Sequence, residues 1–157
     1  MPKVSRKIST LLSLIIAFTL LAVCIAGLIG IYPLTEVLID TPDNIGNRGD
    51  ITPFERIIVH IAAYGIVITC TGADILLIKI LLRVRKGLVF SDKTVSHFRW
   101  MSWSCFFLCL FFGVLGLWFQ LAHPISFLCA CAWLFLRVIK NTVEEATYIK
   151  QENDLTV

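Results

Sequence analysis

Four stretches of this chain are too long and too apolar for a water-soluble fold. Residues 8–32 carry no charged side chain and are followed by Pro33; residues 57–82 carry only His60, Asp74 and Lys79. Residues 100–121 are again uncharged, and residues 122–139 hold Arg137 near their far end. A helix crosses the roughly 30 Å hydrocarbon core of a bilayer in about 20 apolar residues. Within hydrocarbon every backbone polar group must be satisfied inside the segment, so such stretches cross as helices. The fourth run is short, which calls for tilted neighbours or local bilayer thinning. Composition agrees: 57% of the 157 residues are hydrophobic and 16% charged, against about 45–50% and about 25% in soluble domains. The expected fold is all-α, an integral membrane four-helix bundle in a single domain.

Charge in the connections sets the direction of the spans, because Lys and Arg stay on the cytoplasmic side. The N-terminal tail has Lys3, Arg6 and Lys7 and no acid. The 33–56 connection sets Glu36, Asp40, Asp43, Asp50 and Glu55 against Arg48 and Arg56. The next connection carries Lys79, Arg83, Arg85, Lys86, Lys93 and Arg99 against Asp92. The expectation is therefore an external loop at 33–56, a cytoplasmic loop at 83–99 and both termini in the cytoplasm. Residues 140–157 are expected to form a cytoplasmic helical extension, with Ile139, Val143, Ala146 and Ile149 on one face and Lys140 paired to Glu144 one turn on. The first run is too long for a signal peptide, whose apolar core spans about 7–15 residues. Leu21-Ala22-Val23-Cys24 departs from a lipoprotein box at Val23.

Lipid gives helices no hydrophobic reason to associate, so small residues at four-residue spacing mark expected contact faces. Ala22, Ala26 and Gly30 form such a row, as do Ala62, Gly65, Thr69 and Gly72. The third run offers Ser102, Cys105, Cys109, Gly113, Gly116 and Gln120. A compact bundle follows from these rows. All six cysteines, Cys24, Cys70, Cys105, Cys109, Cys129 and Cys131, lie in apolar stretches, where thiols act as small hydrophobes. One-turn spacing in mid-helix also makes Cys105 and Cys109 an unsuitable redox pair. No catalytic triad, metal cluster or phosphate-binding glycine loop is present, and no basic stripe suits direct nucleic-acid binding. Neither an enzymatic activity nor a cofactor is expected.

Asp74 is the most informative intramembrane residue, since an ionisable group there is costly unless paired or hydrated. It falls about 25 Å from residue 57 along the helix, in the inner third of the span. Its bland reading is an ion pair with a basic side chain near the inner surface, or hydration there; its functional reading is an ion or substrate contact. His60 shares its helical face, about 21 Å away, as a second station of a proton path or simply an interfacial residue. At the second helix's end, Arg83, Arg85 and Lys86 suit the dipole, and Arg83 is placed to snorkel. Gly87 suits a C-cap. Ser91 is expected to cap the next helix, with Phe90 and Val95 as a staple, running through Arg99. Anionic headgroups attract such a segment.

Two motifs carry a resemblance. Lys86-Gly87-Leu88-Val89-Phe90-Ser91 follows the second span, and the chain closes on Glu152-Asn153-Asp154-Leu155-Thr156-Val157. With the four spans, this resembles the bacterial membrane family called domain of unknown function 2975. The resemblance bears on Lys86, Gly87, Phe90, Ser91, Asp154, Leu155, Thr156 and Val157; it says nothing of Asp74. It implies the bacterial cytoplasmic membrane, no settled activity, and by analogy alone a cytosolic helix-turn-helix regulator as partner, in a signalling or immunity-like role. The partners expected are the lipid bilayer and that regulator, with homo-oligomerisation left open. The alternative function is a small transporter or ion-coupled channel using Asp74.

Overall fold

A computed structural model describes residues 6–40 and 51–155. Four α-helices follow one another in it: α1 (Arg6–Asp40), α2 (Pro53–Arg85), α3 (Asp92–Leu115) and α4 (Ala122–Leu155). All four are long and apolar enough to cross a membrane. Among the described residues there is no strand. The acids of the first connection at Asp43 and Asp50 lie outside the described residues, as do Thr156 and Val157.

The helices are antiparallel and pack in chain order. α1 touches α2, α2 touches α3 and α3 touches α4; no contact joins α1 to α4 among the described residues. The bundle is therefore built from successive helix pairs, and a cavity of about 300 Å³ among Ile31, Thr35, Ala63, Phe112 and Ile125 draws on all four helices. The two ends of the bundle differ in charge. The end with the start of α1, the 86–91 turn and the end of α4 is the basic end. The opposite end, where α1 passes to α2 and α3 to α4, is called the acidic end.

Pro33 does not end α1, which runs on to Asp40. Proline inside a helix costs about 3 kcal/mol through a lost hydrogen bond and a ring clash, so something beyond it must hold the helix. Thr35 and Ile39 are buried, and Glu36 and Asp40 both pair with Arg56 of α2. Tertiary contact thus moves residues 33–40 from the expected loop into the helix. α2 likewise starts before the apolar run: Thr52 and Glu55 form a reciprocal capping box with Pro53 at the first turn, which satisfies amide groups a helix start otherwise leaves free.

The small-residue rows fare differently on each helix. On α1, Ala22, Ala26 and Gly30 are exposed, and a side chain at Gly30 would meet nothing within 4 Å. The inward face is instead Ala17, Leu21, Cys24, Leu28, Ile31, Thr35 and Ile39, a three-and-four spacing that keeps one stripe against α2. On α2, Ala62 is buried and Gly65 lies under Phe111, where an added Cβ would stand 2.6 Å from the ring. Gly72 faces open space. On α3, Ser102 is buried, Gly113 faces Ser126, and Gly116 lies under the His123 ring. Gln120 falls beyond α3 and is exposed. The Ser126 hydroxyl donates to the Cys109 carbonyl at 2.8 Å, tying α4 to α3. Five cysteines are half-buried, but Cys131 is exposed, so the thiols are not all inside.

Candidate functional site

The turn between α2 and α3 is built from the chain's local chemistry. Gly87 has φ +73°, a left-handed conformation that side chains with a Cβ resist. Its N–H donates to the Val84 carbonyl at 3.1 Å, and the Leu88 N–H donates to the Arg83 carbonyl at 3.0 Å. This pair of bonds is a Schellman motif, and it satisfies the last carbonyls of α2. Beyond it, the Ser91 carbonyl accepts from the N–H groups of Thr94 and Val95 and starts α3.

Ser91 stands at the N-cap position of α3, but its hydroxyl makes no capping bond. It has been taken by Arg83. The Arg83 guanidinium donates from Nη2 to Ser91 Oγ at 2.8 Å and from Nε to Thr94 Oγ1 at 2.9 Å. Both hydroxyls also reach the Leu88 carbonyl, at 3.2 and 3.1 Å. Thr94 is fully buried. Arg83 therefore does not reach out to the surface as expected; it is the pin through the turn. Nothing in the sequence singled out Thr94, although its place one turn after Ser91 was a usable signal. Arg85, Lys86, Leu88 and Phe90 are exposed around this pinned turn, while Val95 is buried.

The α4 extension lies against the start of α3. Thr147 is 3% exposed. Gln151 Nε2 approaches both Asp92 carboxylate oxygens at 3.5 Å, and Arg99 Nη2 lies 3.6 Å from Glu144. Lys140 pairs with the same Glu144. These contacts bring the 83–99 segment and the tail onto one surface. Asp154 and Leu155 belong to the last turn of α4, with side chains outside the described residues.

Asp74 is buried in α2 and its Oδ2 has no hydrogen-bond partner. No cation pairs with it among the described residues, so of its two bland expectations the ion pair is absent there. Its electrostatic neighbours are Cys24 and Cys70. Cys105 and Cys129 are electrostatic neighbours of the same Cys70. No group of His, Cys, Asp and Glu among the described residues is arranged to hold a metal ion.

His60 belongs to a different assembly at the acidic end. Its Nε2 lies 3.2 Å from Glu36 Oε1, its Nδ1 lies 2.8 Å from the Arg56 carbonyl, and its ring packs on Tyr32 with centroids 5.1 Å apart. Arg56 donates to Glu36 at 3.0 Å and to Asp40 at 2.6 Å. Below this cluster a cleft of about 720 Å³ runs between Tyr64, Ile68 and Phe111. Sequence reasoning missed the cluster because it placed Glu36, Asp40 and Arg56 in a loop. It also separates His60 from Asp74, giving His60 its own partners.

Four long apolar helices joined in antiparallel order define a multi-pass helical membrane protein. Residues 44–157 match the family described as "Protein of unknown function (DUF2975)", and the chain belongs to that family. The match contains α2, α3 and α4, whereas α1 precedes it. No curated protein and no solved structure matches the chain.

Proposed function

We propose that this chain is a non-enzymatic anchor in the bacterial cytoplasmic membrane, with both termini in the cytoplasm. Its basic end holds a cytosolic protein partner in a signalling or immunity-like role. The charge asymmetry of the connections supports the orientation. The observation that carries the reading is the pinned turn. Arg83, Ser91 and Thr94 fix its backbone, while Leu88 and Phe90 stand 50% and 47% exposed beside Arg85 and Lys86. Rigid apolar anchors ringed by charge are what protein recognition uses. A helix-turn-helix regulator is the partner class that the family resemblance implies. A tagged chain in native membranes, with Leu88→Ser and Phe90→Ser together, is expected to lose partner capture while still inserting. Deleting residues 154–157 is expected to do the same. Capture unchanged by both alterations overturns the reading.

A second reading rests on Asp74, whose buried carboxylate oxygen has no partner among the described residues. An intramembrane acid of this kind is a default candidate for carrying an ion or proton. It predicts that Asp74→Asn abolishes a measurable flux in proteoliposomes with protein level unchanged. A flux indifferent to that change leaves Asp74 a structural residue.

A further inference from the structure

We infer that the cleft between α3 and α4 at the basic end binds the phosphate group of an anionic membrane lipid. The cleft holds about 270 Å³ and is lined by Arg99, Ser102, Trp103, Arg137, Lys140 and Asn141. Three cations from two helices meet there, and like charges gathered in a recess repel unless an anion joins them. Glu144 supplies one negative charge, pairing with Lys140 and approaching Arg99. Arg137 has no carboxylate partner among the described residues. Its guanidinium is held over Trp103 and Trp133, 5.9 and 5.3 Å from the ring centres. Aromatic faces orient a guanidinium without neutralising it, so the cleft keeps an excess of positive charge. A guanidinium's planar donors match phosphate oxygens, and the Asn141 amide adds a neutral donor.

The depth of the cleft points to a lipid as the source of that phosphate. Arg99 directly precedes the apolar run 100–121, and Arg137 and Lys140 stand where the run 122–139 ends. This is headgroup level, where basic recesses between membrane helices take anionic lipids. Leu134, Phe135 and Val138 are exposed on α4 within three residues of Arg137, which gives acyl chains an apolar flank that free phosphate does not use. The inference stands apart from the partner reading, because it uses a different recess of the same end.

The test places the purified chain in phosphatidylcholine nanodiscs with rising fractions of phosphatidylglycerol. Tryptophan fluorescence is followed, since Trp103 lines the cleft and Trp133 lies under the Arg137 guanidinium. A saturable change is expected, weakened roughly 10- to 30-fold by Arg137→Gln with Lys140→Gln, as loss of about two headgroup-facing cations implies. Arg85→Gln with Lys86→Gln removes the same charge from residues that do not line the cleft; it reduces only the diffuse, salt-screened attraction of the basic segment and is expected to weaken the titration by no more than about threefold. Equal weakening in both pairs means diffuse attraction and overturns the site. The same change with inorganic phosphate, or displacement of the lipid signal by an acidic peptide alone, overturns the lipid as ligand. Should the cleft variants fail to accumulate, native mass spectrometry of the unaltered chain decides. Retention of phosphatidylglycerol over phosphatidylcholine supports the site, and equal retention overturns it.

Discussion

The two ends of the bundle each fix an arginine, and they do so by opposite chemistry. At the acidic end Arg56 lies between Glu36 and Asp40, with His60 against the same Glu36. The charges close on one another and clasp α1 to α2. At the basic end Arg83 is held by the hydroxyls of Ser91 and Thr94, and Arg137 by two indole faces. Neither has a carboxylate partner among the described residues. Neutral groups position a cation without cancelling it, so the basic end is rigid and still attractive to anions. A clasp spends its charge on the fold, whereas a pin leaves charge for a ligand.

The contrast makes ordered predictions. Arg83→Met should cost most, roughly 2–3 kcal/mol, because part-buried hydrogen bonds to a charged group are strong. Thermal unfolding in detergent measures it, and Arg83→Lys should recover only part, since an ammonium lacks the planar fork. Gly87→Ala should cost about 1–2 kcal/mol by the same measurement, the penalty of a Cβ in the left-handed region. At the acidic end Thr52→Ala should cost about 1 kcal/mol through the lost cap. Arg56→Leu should cost least, below about 1 kcal/mol globally, because its pairs are partly exposed and screened by water. Its effect should be local: hydrogen exchange of residues 34–40 should quicken, as the turns beyond Pro33 lose their hold. A larger global loss from Arg56→Leu than from Arg83→Met breaks the contrast.

Much of this was legible in particular residues. Gly87 announced its turn because few other residues tolerate a positive φ, and Lys140 with Glu144 follows from helical spacing alone. Other features were misread for reasons of context. Pro33 is a local stop signal, but buried Thr35 and Ile39 and the Arg56 pairs outweigh it. Ala22, Ala26 and Gly30 look like a contact row, yet a row marks a contact only where a partner helix exists, and α1 has one neighbour, on its other face. Ser91 looks like a cap, but a cation one loop away claimed its hydroxyl. Arg137 drew notice in the sequence only as a charge at a helix end; its contact with Trp103 and its place in one cleft with Arg99 needed α3 and α4 side by side.

The sequence by itself determined the four apolar helices, the alternation of charge between their connections and the Gly87 stop of α2. These depend on composition and on spacing within a few residues. Only the tertiary structure decided which faces meet, which cations are neutralised and which are merely held in place. Among the described residues it left Asp74 without an ion partner, and it turned Arg83 inward. Those outcomes depend on what a neighbouring helix brings within hydrogen-bond reach, and no single helix encodes that.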